Sequence, residues 1–402
     1  MDVVAVQVET WLRAFTAFAQ NKRLAQGFLQ KGLQRKKWII VGGGILSYLM
    51  WVRYRRYKYI VMIRKKYPNP LDVLNNPEIA QEIHATTMKK EFPSTELALF
   101  KTFTIPTISK LLVATKQFEH DASRRAEDTE LLLNEIVDTY GRIQKQLQKD
   151  PDTPEEDIQA QWKRPTLALE RLNELHGKYS ILNEDYIYTL SLFIFEPISW
   201  INRFEWRTLD EREINALFRV WYDVGIAMKM KDVPDTPEKM LAFKNMYAQK
   251  KIAYAPSNWK CGEPTVRHLL SNLPRCLQET AYTLSLYVLP SVLDTEDVVA
   301  FRLPHAESKL ITYLFRATMF LRALFIRYWM LPRSHYVNRT PFYATTTSTG
   351  VDRYVPEFDY YQRRIYKDGY LISELGPDHF KPPFCHEAVI QPSFCPSLLA
   401  KK

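Results

Sequence analysis

Residues 187–206 read IYTLSLFIFEPISWINRFEW, a run almost free of charge and dense in large apolar side chains. A helix that is hydrophobic all round is buried, so this segment belongs at the centre of a domain with other elements packed on every side. Asn183 is placed to cap its start, and Glu205-Trp206-Arg207 closes it. Working outward, apolar residues recur at three- and four-residue intervals over about 71–90, 94–118, 122–148, 154–179, 184–203, 209–230, 236–249, 264–288 and 305–330, the spacing of amphipathic helices. Thr153-Pro154-Glu155-Glu156 and Thr208-Leu209-Asp210-Glu211 have the form of capping boxes, and Thr236-Pro237-Glu238 puts proline at a first helical position. Alternating strand patterns are nearly absent and glycine is scarce, with 12 in 402 residues. The chain therefore predicts an all-α fold: one large helical domain over 67–335, followed by an irregular segment, 336–402, rich in Pro, Tyr and Thr.

The net charge of +10 is local. Lys31, Arg35, Lys36, Lys37, Arg53, Arg55, Arg56, Lys58, Arg64, Lys65 and Lys66 lie in a stretch without an acid, and the remaining chain is close to neutral. These cations bracket the apolar run 38–52, WIIVGGGILSYLMWV. That arrangement points to a membrane and away from nucleic acid. The run is shorter than the ~20 residues that cross a bilayer, but flanking Lys and Arg can snorkel, so a transmembrane anchor is expected over 38–58. The excess of basic residues after the run predicts a cytosolic C-terminal domain. The alternative is a buried hydrophobic helix. Residues 1–37 carry an amphipathic pattern with Trp11, Leu12, Phe15 and Phe18 on one side. Three arginines, Arg316, Arg322 and Arg327, interrupt the apolar segment 306–332, which favours a helix lying on the domain or on a membrane surface over a second span. Cys261, Cys276, Cys385 and Cys395 lack the spacing of a zinc site or a disulfide framework. The sequon Asn338-Arg339-Thr340 would place the domain in a lumen if it were glycosylated.

Phosphate-binding glycine loops, HExxH, GxSxG and CxxC motifs are all missing, and Gly42-Gly43-Gly44 falls within the apolar run. Two helical elements remain. Arg125, Asp128 and Thr129 occupy i, i+3 and i+4, so a cation, a carboxylate and a hydroxyl share a face that continues as Leu132 and Ile136. This could be the polar end of a pocket or an ordinary solvated first turn. His176 lies on the stripe Leu172, Leu175, His176, Tyr179, directly before the buried helix. A histidine there is either a satisfied core residue or a ligand, and Gly177 beside it removes a side chain where a flat group could approach. Heme iron requires such a set: a neutral imidazole on one side, apolar walls, and a few donors on the other side to orient dioxygen. Trp200, Phe204 and Trp206 are wall candidates or core packing. His84, His268 and His305 are rival ligands, of which His268 is the strongest.

Four ordered blocks, LFKTFTIPTISKLL at 99–112, RAEDT at 125–129, ELHGKYS at 174–180 and YTLSLFIFEPISWINRFEWRTLDERE at 188–213, resemble the fungal ER-bound oxygenases of the MpaB type. These are distantly similar to the bacterial latex-clearing rubber oxygenases, and the resemblance covers about 70–330. It implies a helical heme b domain held on the cytosolic face of the endoplasmic reticulum by one N-terminal transmembrane helix. His176 would be the proximal iron ligand, with Gly177 beside it. Arg125 and Thr129 would lie on the distal side, with Asp128 where the rubber oxygenases carry a lysine. The implied reaction is O2-dependent cleavage of a carbon–carbon double bond in a lipophilic, prenyl-bearing secondary metabolite. Hydroxylation, desaturation or rearrangement on the same fold is the alternative, and a cofactor-free anchored binding protein is a third reading.

Overall fold

The computed structural model describes residues 37–87, 96–303, 309–334, 336–348, 350–361 and 363–381, with Thr16 and Val389. The amphipathic segment expected over 1–37, His305, Cys385 and Cys395 fall outside these, apart from Thr16 and Lys37. Helix α1 covers residues 37–66. There follow α2 (Leu71–Asn75), α3 (Pro77–Thr86), α4 (Glu96–Thr102), α5 (Pro106–Ala114), α6 (Gln117–Val137), α7 (Thr139–Lys149), α8 (Glu155–Gln161), α9 (Arg164–His176), α10 (Asn183–Phe204), α11 (Glu211–Ala227), α12 (Pro237–Lys251), α13 (Pro256–Leu269), α14 (Arg275–Val288), α15 (Thr295–Phe301) and α16 (Lys309–Trp329). The only strands among the described residues are β1 (Thr345–Thr346) and β2 (Asp352–Arg353), an antiparallel pair in the otherwise irregular C-terminal segment. The expected all-α class is therefore observed.

Several predicted helices divide where local chemistry dictates. Asn76 ends α2 and caps α3, its side chain accepting from the amides of Glu78 and Ile79, with Pro77 at the first position. Ile105, held extended before Pro106, separates α4 from α5. The capping box of α11 is formed by Asp210 and Glu213, two residues beyond the Thr208–Glu211 pair that the sequence suggests. Thr153 likewise does not cap α8; its hydroxyl donates to the Asp150 carbonyl. Thr236 does cap α12.

The chain forms two compact units, one within Met1–Lys58 and Arg327–Leu331, the other within Tyr59–Ile326 and Pro332–Lys402. In the first, the Tyr48 hydroxyl donates to the Trp329 carbonyl and Arg56 Nε to that of Met330. Among the described residues no helix is long and apolar enough to cross a membrane. The transmembrane span expected over 38–58 thus finds no support among the described residues: the apolar run stops at Val52, and α1 continues through Arg53, Arg55, Arg56 and Lys58. Trp38, Ile39 and Ile40 are nevertheless more than 70% exposed.

In the second unit, α10 is the central helix, with Ile187, Leu190, Leu192 and Ile194 buried, and it packs against α4, α11 and α12. Helix α6 packs on α9, and α13 on both α5 and α6. A buried ionic network fixes this second layer. Glu135 of α6 receives both Arg142 of α7, at 3.2 Å, and Arg164 of α9, whose Nε donates at 2.8 Å, as well as the Tyr370 hydroxyl. Both arginines also donate to Gln161, and Arg164 donates to the Pro341 carbonyl, so the network clips the C-terminal segment onto the helices. Asn338 is fully buried against Asp138 and Gly141, so the folded chain offers no access to that sequon.

Removing one partner of a buried ion pair strands the others. Glu135→Gln is expected to cost about 3–5 kcal/mol of stability, read from urea unfolding of the full chain. A loss below about 1 kcal/mol would show the network to be dispensable.

Candidate active site

Of the three residues predicted to share a face on α6, two act together. Arg125 Nη1 donates to Thr129 Oγ1 at 2.8 Å, and the Thr129 hydroxyl donates in turn to the Arg125 carbonyl at 2.8 Å. Thr129 has spent its proton on the backbone, so it orients the guanidinium and has no hydrogen left to donate to a ligand. Burial lowers the pKa of Arg125, partly offset by Asp128, Tyr179 and Cys261 nearby. It stays charged at any cellular pH.

His176 is the last residue of α9, which ends three residues earlier than its apolar stripe suggests. Burial, with Arg125 as a second contribution, drives its pKa down to about 4, so the ring is neutral near pH 7. Its Nδ1 is buried without a hydrogen-bond partner, and the ring leans on Tyr186 with centroids 5.5 Å apart. Neutral imidazole with an uncommitted nitrogen is the state that binds a metal. The packing of α6 on α9 thus brings His176 and Arg125 close enough to interact, although they are distant in sequence.

Asp128 departs from its predicted place. It is buried, but its carboxylate accepts from the Tyr366 hydroxyl and from the backbone amide of Gly376, with Arg124 Nε 3.9 Å away. One turn of helix separates it from Arg125, and the C-terminal segment claims it. It therefore acts as a latch between α6 and residues 366–376. Gly177 also departs from its expected role. It is exposed at the C-cap, and the atoms a Cβ would meet first are the carbonyl oxygens of Asn173 and Glu174, so its missing side chain relieves the end of its own helix. Phe204 packs between Trp200 and Phe315, and Trp206 is buried, as core residues are. Among the rivals, His268 has Nδ1 bonded to Ser123 Oγ at 3.0 Å and its ring packed on Tyr361, with Nε2 buried and unpartnered. It has no arginine paired to it as Arg125 is to His176. His84 is buried in α3, which packs on α11.

Tyr186, Cys261 and Tyr366 were not singled out by the sequence. Tyr186 comes from the start of the next helix, α10, while Cys261 of α13 and Tyr366 of the C-terminal segment are remote in the chain from Arg125 and Asp128, so no local spacing marks those two. A separate open cleft of about 290 Å³ is lined by Arg124, Arg353, Tyr366, Gly369 and Lys381 and contains none of the predicted ligands.

The two buried titratable groups oppose each other over one pH window. Burial raises the Asp128 pKa to about 6, so between about pH 4 and 6 the folded chain holds a proton that the unfolded chain has released, and this contribution to stability falls as pH rises. His176, with its pKa lowered to about 4, does the reverse: its contribution is complete above about 6.5 and is lost as pH falls. Asp128→Asn should therefore make unfolding free energy climb more steeply with pH between about 4 and 6 than in the unsubstituted chain. Parallel profiles from denaturant titrations would contradict the raised pKa.

No family model matches the chain. Curated relatives do. The ER-bound oxygenase mpaB' of Penicillium brevicompactum is 28% identical over 283 residues, covering 63% of this chain and 62% of the relative. The ER-bound oxygenase mpaB of the same organism is 29% identical over 266 residues, covering 59% and 63%. That of Penicillium roqueforti is 30% identical over 200 residues, covering 46% and 61%. The chain thus spans less than two thirds of the length of the curated relatives it matches. By sequence it is similar to MpaB-type ER-bound oxygenases, as the four blocks had suggested.

Proposed function

We propose that this protein is a heme-dependent oxygenase, associated with the endoplasmic reticulum membrane, that uses O2 to cleave a carbon–carbon double bond in a lipophilic, prenyl-bearing biosynthetic intermediate. The observation that carries the reading is a neutral His176, its Nδ1 buried without a partner, within electrostatic reach of Arg125, whose guanidinium is held by Thr129. The relatives' names supply the oxygenase class and the membrane.

The residues fit heme b on three counts. His176 is neutral and its Nδ1 lacks a partner, so a bond to iron would satisfy a group that is otherwise costly to bury. Arg125 brings a fixed positive charge into a desolvated space, where it would favour the propionates or a negatively polarised oxygen. Tyr186 walls the imidazole. The cofactor would supply dioxygen activation at this site. The protein's own part is to keep the imidazole unprotonated, to hold the guanidinium on Thr129, and to exclude water.

Asp128 takes no part in proton delivery, because its carboxyl group is engaged by the Tyr366 hydroxyl and the Gly376 amide of the C-terminal segment. This differs from the role expected for a residue standing where the rubber oxygenases use lysine. Membrane attachment falls to exposed apolar surface, beginning with Trp38, Ile39 and Ile40 of α1, without a crossing helix.

The full chain purified in detergent should show a Soret band that His176→Ala abolishes or shifts while the helical circular dichroism persists. With a prenylated substrate under ¹⁸O2, the two carbonyl products should carry label. A colourless folded protein would overturn the heme assignment, and unlabelled products would overturn oxygenative cleavage.

A further inference from the structure

Helix α16 is apolar on its outer side as well as its inner one. Within residues 309–326, Leu310, Tyr313, Leu314, Phe320, Leu321 and Phe325 are 54–71% exposed, and no residue of the helix is buried. Leu310, Tyr313, Leu314, Leu321 and Phe325 follow the i, i+3, i+4 progression and so form one continuous stripe. A different face meets the domain: Phe315 packs edge-on against Phe204 at 5.6 Å, and Thr312 accepts from Ser291 at 3.0 Å. Exposed apolar contiguity of this extent marks a surface that is covered in use.

The charges identify what covers it. Lys309, Arg316 and Arg322 are exposed, and the helix contains no acid. On a helical projection at 100° per residue, Lys309 and Arg316 border one edge of the stripe and Arg322 the other. Arg322 is steadied by Glu205 at 3.0 Å while still 44% exposed. Long cationic side chains at both margins of an apolar stripe can sink their methylenes beside it and present their charge to anionic headgroups. A second copy of the same face would instead bring like charges together. Arg316 and Arg322 interrupt the helix, and no described helix is long and apolar enough to cross a membrane, so α16 suits the plane of the interface.

We propose that α16 is a membrane-docking helix, seating the domain on an anionic phospholipid surface through Leu310, Tyr313, Leu314, Leu321 and Phe325, with Arg316 and Arg322 at the headgroups. The proposal rests on the membrane association proposed above and adds the surface and the lipid chemistry that α1 alone does not provide. It places the helical domain itself against the phase in which a prenyl chain dissolves.

The test is hydrogen exchange of the full chain, read by mass spectrometry, with and without phosphatidylcholine vesicles that contain or lack phosphatidylserine. Peptides within 309–326 should exchange several-fold more slowly with the anionic vesicles, those of α11 should not change, and Leu321→Asp or Arg316→Glu should weaken the protection. Both substitutions are at exposed positions, so folding should survive. Cosedimentation with vesicles without protection over 309–326 would overturn docking by α16 and leave membrane association standing. Absence of cosedimentation would overturn both. Protection that grows with protein concentration and needs no vesicles would show that a second copy covers the face, and would likewise overturn the proposal. None of these outcomes depends on heme.

Discussion

Everything at the candidate site depends on one buried carboxylate. Glu135 is shared by Arg142 and Arg164, and through them it holds α6, α7 and α9 to one another and to the C-terminal segment. Arg125 lies ten residues before Glu135, and His176 twelve after Arg164. On helices of 1.5 Å rise these are about 15 and 18 Å. The two helices therefore run antiparallel, clamped at one end, with the site at the other. A buried carboxylate between two guanidiniums is weak evidence for net stability, because desolvation opposes the attraction. Its geometric effect is larger: it fixes the register in which two distant residues meet.

What meets there is one committed cation and one uncommitted base. The positive charge of Arg125 and the loss of water both penalise imidazolium, so the same arrangement that buries the arginine keeps His176 able to bind a metal. Thr129 is turned back to the backbone and Asp128 outward to Tyr366. The polar end of the site thus reduces to the guanidinium. Asp128 shows how a helix face can mislead: three residues one turn apart share a side of α6, yet the C-terminal segment packs so as to divide them.

The fold was largely legible because it is built from helical periodicity and buried bulk. Residues 187–206 had to be central, and α10 is. Breaks were harder to see, since Asn76, Ile105 and Asp138 end helices through capping and backbone preference while the apolar rhythm continues across them. The short α15 was missed, and it carries Asp297, part of the buried cluster around Lys101. His176 and Arg125 could be picked out as candidates from their helix faces and from the family resemblance, but their pairing is a tertiary fact. The same holds for Tyr366 and Gly376, which lie some 240 residues beyond Asp128. In α1, the apolar run with basic flanks suggested a transmembrane anchor over 38–58, but among the described residues no helix is long and apolar enough to cross a membrane.

The most direct test of the account is whether His176 itself ligates iron. Pulsed electron paramagnetic resonance of the ferric full-length protein labelled with ¹⁵N-histidine should show a strong axial ¹⁵N hyperfine coupling. That coupling should vanish in His176→Ala and persist in His268→Ala. If it survived His176→Ala, or was lost only in His268→Ala, the central assignment would be contradicted.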